Sequence, residues 1–296
     1  MKKTIAAILS ICFFVLNVAS DESLVISRIR MKYTLDIKAE GDIEKFKVTI
    51  ALPNSQASQQ DIESISYLPE PAEIFTDGDN KYCTFVFDEM PRKITIIANM
   101  RLYSCDMYTR ANNPSAEILD DPGQYLRSEK YLETSDKKLI DIAKALRRPT
   151  SRETLEAIFN YVTTEISYLK YDPADHGAAW SIAKKQGDCT EFADLFITLC
   201  RINNIPARFV EGYTTTGSNY SHDWAEVYIA GIGWVYIDPM YANVDHWTAM
   251  ERLSRKYIAI TKKRYDTVLN GYHYYAYQYI GNGKITIESN IEFGEI

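Results

Sequence analysis

Glycine and proline are sparse in this 296-residue chain, at 13 and 10 residues, and no long internal repeat or low-complexity tract is present. With 46% hydrophobic and 25% charged residues, the usage is globular and excludes disorder, collagen and coiled-coil fibre. There is no basic excess. The 33 Lys and Arg face 40 Asp and Glu, a formal charge of −7, so the basic face of a dedicated nucleic-acid binder is missing. The five cysteines include no Cys-x-x-Cys pair, which argues against a zinc ribbon or a thioredoxin-type motif. Histidine is scarcer still, with four. Beyond residue 20 no apolar run reaches the ~20 residues that a membrane span needs. At ~150 residues per domain the length fits one or two domains.

The first twenty residues form a different unit. Lys2 and Lys3 make a short positive region, Ile5 to Leu16 is apolar apart from Ser10, and Val18-Ala19-Ser20 offers small residues before Asp21. This is the pattern of a secretory signal peptide, the alternative being an uncleaved anchor. The chain is therefore expected to be exported, periplasmic or extracellular, and its compact signal points to a bacterial source. Removal of the signal leaves Cys83, Cys105, Cys189 and Cys200. Oxidising conditions permit a Cys83–Cys105 bridge. The alternative is two buried, unpaired thiols in strands.

Residues 24–105 alternate polar and apolar side chains, as in Met31, Tyr33, Leu35 and Ile37 and in Phe46-Lys47-Val48-Thr49-Ile50. Tyr82 to Phe87 and Ile94 to Leu102 give two more strands. Period-two runs bounded by turn residues indicate an antiparallel β-sandwich. Asn112-Asn113-Pro114 and Asp120-Asp121-Pro122-Gly123 then mark a connection. Two helices follow, the first with Leu139, Ile142, Ala143 and Leu146 on one face. The second opens at the capping box Thr150-Ser151-Arg152-Glu153. In the tyrosine-rich tail, 272–280 and 284–292 read as strands of a hairpin turning at Gly281-Asn282-Gly283. The expected division is a signal peptide at 1–20, a β domain at 21–125 and a second domain at 126–296.

The chemistry concentrates between Gly187 and Pro239. Apolar residues recur at Phe192, Leu195, Phe196 and Leu199, so a helix is expected from about Cys189 to Ile202. Asp188 is a good N-cap and Glu191 completes a capping box. Cys189 then occupies the first helical position, where free N–H groups and the helix dipole are expected to lower its pKa. The same N–H groups suit a developing oxyanion. Cys200 lies about 16 Å further along that helix and reads as core. His222 opens a strand running to Ile229, Gly231-Ile232-Gly233 turns the chain, and Trp234 to Ile237 returns to Asp238. A hairpin of that length brings Asp238 back to His222, where a carboxylate fixes the imidazole tautomer. His176, His246 and His273 lack a partner motif and are expected in loops or core. Without further clustered ligands, Cys189 and His222 do not suggest a metal site.

Gly187-Asp188-Cys189-Thr190-Glu191-Phe192-Ala193, Ile205-Pro206-Ala207-Arg208-Phe209, His222-Asp223-Trp224-Ala225-Glu226-Val227-Tyr228 and Gly233-Trp234-Val235-Tyr236-Ile237-Asp238-Pro239 together resemble the core of the transglutaminase-like superfamily. The resemblance implies an α+β, papain-like fold with the cysteine helix packed on an antiparallel sheet, behind an N-terminal β-sandwich-like domain. It implies Cys189, His222 and Asp238 as a catalytic triad. The implied activity is that of an exported cysteine peptidase or amidase, working through a thioester on a peptide, protein or cell-envelope glycopeptide. Two alternatives remain: an amine-transferring transglutaminase, and a non-catalytic binding module whose aromatic groove uses Trp180, Trp224, Trp234 and the tyrosine tail. Gln186 and Trp180 are candidates for a second oxyanion donor. The chemistry requires no metal or organic cofactor, and no EF-hand pattern for calcium is present.

Overall fold

Strict alternation produces the longest strand. In β1 (Val25–Glu40) Ile29, Met31, Tyr33, Leu35 and Ile37 are buried, because successive side chains point to opposite faces. A computed structural model describes residues 25–56, 59–114, 119–215, 221–244, 250 and 256–296. The expected signal peptide and His246 lie outside the described residues. β2 (Ile43–Leu52), β3 (Gln60–Leu68), β4 (Glu73–Asp77), β5 (Asn80–Phe87) and β6 (Lys93–Tyr103) follow. β3 and β4 escape sequence reading because their faces are largely half-buried or exposed.

Helices α1 (Met107–Asn112), α2 (Lys137–Leu146) and α3 (Ser151–Glu165) come next, then β7 (Ser167–Tyr168), α4 (Ala178–Lys184) and β8 (Gln186–Gly187). α3 opens with the expected Thr150–Glu153 capping box. The remaining elements are α5 (Cys189–Ile202), β9 (Ala207–Thr214), β10 (Ser221–Ile229), β11 (Gly233–Ile237), α6 (Pro239–Val244), β12 (Tyr257–Thr261), β13 (Tyr275–Gly281) and β14 (Lys284–Glu295). The result is the expected α+β architecture, a β-sandwich joined to a helix-on-sheet core. Among the described residues no helix is long and apolar enough to cross a membrane.

Two four-stranded sheets, ordered β14-β1-β6-β3 and β13-β2-β5-β4, form the sandwich. Leu35, Phe46, Val48, Ile50, Phe85 and Ile96 fill the space between them. The third sheet, β11-β10-β9-β12, carries α5 on one face. Around α5, side chains of α2, α3 and α4 close the second core.

One sequence expectation is corrected here and one open alternative is decided. The tail strands do not pair with each other and do not belong to the second unit. β13 pairs with β2 and β14 with β1, so residues 275–295 complete the first unit's two sheets. Their connection arches from sheet to sheet around the carbonyl of Asp42, which accepts the N–H groups of Asn282 and Gly283 at 3.1 Å. Gly281 adopts φ +136°, and a Cβ there would stand 2.3 Å from that carbonyl, so a side chain is excluded. Of the two alternatives for Cys83 and Cys105, the structure shows the buried, unpaired thiols. Cys83 is packed between the sandwich sheets, while Cys105 lies in a separate small core with Val210, Trp224 and Tyr236. Both are free thiols, and burial pushes each up to about 12.

A buried ionic cluster locks the sandwich to the third sheet. The Glu226 carboxylate on β10 is fully buried and receives Arg208 Nε at 2.6 Å and Lys262 Nζ at 2.9 Å. Gln59, beside β3, donates to the same carboxylate and accepts from Lys262 at 2.8 Å. The next residue, Gln60, exchanges hydrogen bonds of 2.8 and 2.9 Å with the backbone of Ala259 on β12. Removing one partner of a buried pair strands the others. Glu226→Gln is therefore expected to lower the unfolding free energy by about 3 kcal/mol, measured as a lower urea midpoint.

Candidate active site

The first turn of α5 is built by its cap. Asp188 accepts the N–H of Thr190 at 2.9 Å, and Glu191 reaches back to the N–H of Asp188 at 3.1 Å. Gly187 makes room for this, since a Cβ there would stand 2.4 Å from Cβ of Glu191. The other oxygens of the cap hold the preceding loop: Asp188 Oδ2 accepts the N–H of Asp172 and Glu191 Oε1 that of His176. Cys189 thus begins the helix as expected. Its own N–H has no intrahelical acceptor.

The thiol itself runs against expectation. Burial pushes Cys189 well above its ordinary value, and the Asp223 and Asp188 carboxylates push it further. The backbone N–H of Asp223 donates to the sulfur and opposes them without prevailing. A helix terminus therefore does not by itself make a resting thiolate here, because desolvation and two nearby negative charges outweigh it.

His222 stands one residue before Asp223 on β10 and is 1% exposed. Its Nε2 donates to Asp238 Oδ2 at 2.6 Å. That bond assigns the ring proton to Nε2 and leaves Nδ1 as an acceptor. Asp238 ends the β10–β11 hairpin, in which Ala225 pairs with Ile237. Tyr257 from β12 donates its hydroxyl to the same Oδ2 at 2.6 Å, and Oδ1 accepts the N–H of Tyr241 at 3.0 Å. Burial alone would raise Asp238, but its His222 partner and these hydrogen bonds hold it below the usual carboxylate value.

A cavity of about 400 Å³ opens onto Cys189 and His222, with Tyr168, Glu211, Asp223 and His273 among its walls. Asp238 is buried behind His222. Four sequence-selected residues are not among the cavity's lining residues. Trp224 is fully buried, edge-on to Tyr236 and Tyr257 at ring-centroid distances of 5.4 and 4.9 Å. Trp180 stacks on the His176 ring at 3.9 Å. Gln186 is held in the short β7–β8 pairing opposite Ser167. Trp234 is likewise buried, beneath the Arg208 guanidinium.

Sequence reading missed Tyr168 and His273. Tyr168 pairs with Gly187 directly upstream of the cysteine. His273 precedes β13 and hydrogen-bonds Glu211 through Nδ1, while Nε2 lies 3.5 Å from Asp175. Bonding to Asp175 and Glu211 pushes it up to about 11, so it is an imidazolium at neutral pH. No local motif announces either residue, since one depends on a two-residue parallel pairing and the other on the tail's return to the sandwich.

Residues 140–239, a range holding Cys189, His222 and Asp238, match the family model described as the transglutaminase-like superfamily. A stretch of 96 residues is 33% identical to YebA, an uncharacterised protein of Bacillus subtilis, covering 27% of this chain and 13% of that protein. The match thus spans a small part of that relative's length. Across 91% of both chains, the structure is similar to that of a candidate cysteine protease from Cytophaga hutchinsonii, with a TM-score of 0.66 and 18% identity. The periplasmic domain of TgpA from Pseudomonas aeruginosa aligns with a TM-score of 0.45 and 14% identity, covering 76% of this chain and 93% of that one.

The cysteines differ in access, with Cys83, Cys105 and Cys200 buried in cores and Cys189 half-buried at the cavity. Iodoacetamide is expected to label native protein at Cys189 first, at a rate that climbs with pH as the raised thiol ionises. His222→Gln should slow labelling at neutral pH by about tenfold. Peptide mapping by mass spectrometry checks both outcomes.

Proposed function

Residues 140–239 match the transglutaminase-like superfamily model, and we propose that this protein is a thiol enzyme of amide acyl transfer, acting first as a hydrolase. The observation that carries this reading is the 2.6 Å bond from His222 Nε2 to Asp238, with Nδ1 left as acceptor on a cavity shared with Cys189. Cys189 Sγ attacks the amide carbonyl carbon and its proton passes to His222 Nδ1. Asp238 supports the imidazolium that forms. The N–H of Cys189 at the start of α5 faces the developing oxyanion, with the Tyr168 hydroxyl on the cavity wall as the second donor. As the C–N bond breaks, His222 returns the proton to the leaving amine and a thioester remains. Water then adds to the thioester carbonyl, its proton passes through His222 to the departing sulfur, and the C–S bond breaks to release the acid.

The raised Cys189 thiol supports base-assisted attack over a resting ion pair. Hydrolysis is preferred over amine transfer because the cavity rim is open to solvent, Tyr171 being 70% exposed. A closed, water-excluding site would suit transfer better. The short positive region, apolar run and small residues of 1–20 support export, and the substrate is a peptide, protein or cell-envelope glycopeptide.

A peptide library incubated with wild type, with and without a labelled primary amine, separates the two fates of the thioester. Cys189→Ala is expected to abolish product, and Asp238→Asn to lower kcat by about 10²–10⁴-fold. Equal product from wild type and Cys189→Ala would leave only a binding module on this scaffold.

A further inference from the structure

The cavity beside Cys189 carries a carboxylate, Asp223, that makes no ion pair among the described residues, although the His273 charge lies near enough to offset part of its own. Asp223 on β10 and Glu211 on β9 stand directly opposite each other, an arrangement that destabilises a strand pair unless something balances it. Glu211 is balanced: one oxygen meets the His273 imidazolium and the other accepts the Thr261 hydroxyl at 3.1 Å. Asp175, on the far side of His273, also meets Arg264 at 2.9 Å, and Arg264 holds Asp194 at 2.7 Å. Both ring nitrogens of His273 and the Arg264 guanidinium are thereby committed.

Asp223 has much less. It is 7% exposed, and its Oδ2 accepts only the neutral Thr190 hydroxyl at 2.7 Å. Among the described residues its Oδ1 accepts no hydrogen bond, and Asp223 lines the cavity. That oxygen opens onto the cavity beside a second carboxylate, and a ligand cation there would be held by both charges.

We propose that the Asp223 carboxylate receives a protonated primary amine of the substrate, next to the amide carbonyl that Cys189 attacks. This rests on the acyl-transfer reading for the position of the amide. Asp223 also donates its backbone N–H to the Cys189 sulfur, so its carboxylate lies within one residue's reach of the nucleophile. The amine therefore belongs to the residue that supplies the acyl group, or to that residue's neighbour. One available oxygen suits the point charge of an ammonium better than the two-pronged guanidinium, which seeks both oxygens of a carboxylate. It is also too few donors for a metal ion. Burial and the Glu211 charge lift Asp223 to about 6, so it is ionised at neutral pH and ready to pair. The ammonium is either the α-amine of an N-terminal residue or a lysine-like side chain.

Protection of Cys189 against iodoacetamide tests this without turnover. The probes are alaninamide and Nα-acetyl-lysinamide, each with a neutral counterpart, N-acetyl-alaninamide and N-acetyl-norleucinamide. At least one ammonium probe is expected to slow labelling about tenfold more than its counterpart. The more protective one identifies the α-amine or the side chain as the source. In Asp223→Asn the difference should vanish. Neutral probes that protect as well as their ammonium partners would overturn the proposal, as would a preference that survives Asp223→Asn. Should that variant fold poorly, wild type still decides: cationic 2-aminoethyl methanethiosulfonate, each rate taken relative to a free thiol, should react at Cys189 about tenfold faster than the anionic 2-sulfonatoethyl reagent. Equal rates would overturn the proposal. Labelling reads the sulfur's surroundings, so a negative result leaves the acyl-transfer reading intact. A lack of peptide turnover would count against that reading alone.

Discussion

The burial of α5 on all sides governs this protein. From Glu191 to Arg201 every residue of the helix is buried, with the third sheet on one side and helices α2 to α4 on the other. A helix enclosed in this way meets a cavity only at an end, and the N-terminal end is the one with free N–H groups. Placing Cys189 there exposes a sulfur while the rest of the helix stays in the core. The polar side chains that go inside with it need partners, and the fold supplies them. Glu191 closes the cap, Asp194 takes Arg264 and Arg201 reaches Glu129.

The electrostatics of the site follow from the same enclosure. Desolvation dominates the buried ionisable groups around the cavity, raising Cys189, Glu191 and Asp223 together. Groups held by a close partner escape, such as Asp238 bonded to His222, or His273 between two carboxylates. In the mechanism proposed above, a nucleophile in such a setting depends on its base more than on the helix dipole. The His222–Asp238 hydrogen bond, braced by Tyr257, is therefore the part of the site that geometry must hold most firmly.

The sandwich helps to hold it. Glu226 lies on the strand that carries His222, and its partners Arg208, Lys262 and Gln59 come from β9, the end of β12 and the approach to β3. Gln60 fixes β12, the strand of Tyr257, through the backbone of Ala259. The final strands then return to the sandwich and carry His273 and Tyr274 past the cavity on the way. The two units are thus interlocked through polar side chains as well as apolar ones. The chain's end contributes to the site's wall although its strands belong to the distant sheets.

Much of the site was legible in the sequence because its signals are local. A capping box places Cys189 at a helix start, alternation and a glycine turn pair His222 with Asp238, and period-two runs mark four sandwich strands. Each depends on residues within one or two turns of chain. Tertiary structure alone decided that Trp224, Trp180 and Gln186 stand off the cavity while Tyr168 and His273 line it. It alone sent the tail strands into two different sheets and kept Cys83 and Cys105 in separate cores. It also reversed the expected direction of the Cys189 thiol. The reason is the same throughout: which face a side chain covers is set by its own segment, whereas desolvation, charge neighbours and strand partners are sums over segments distant in sequence.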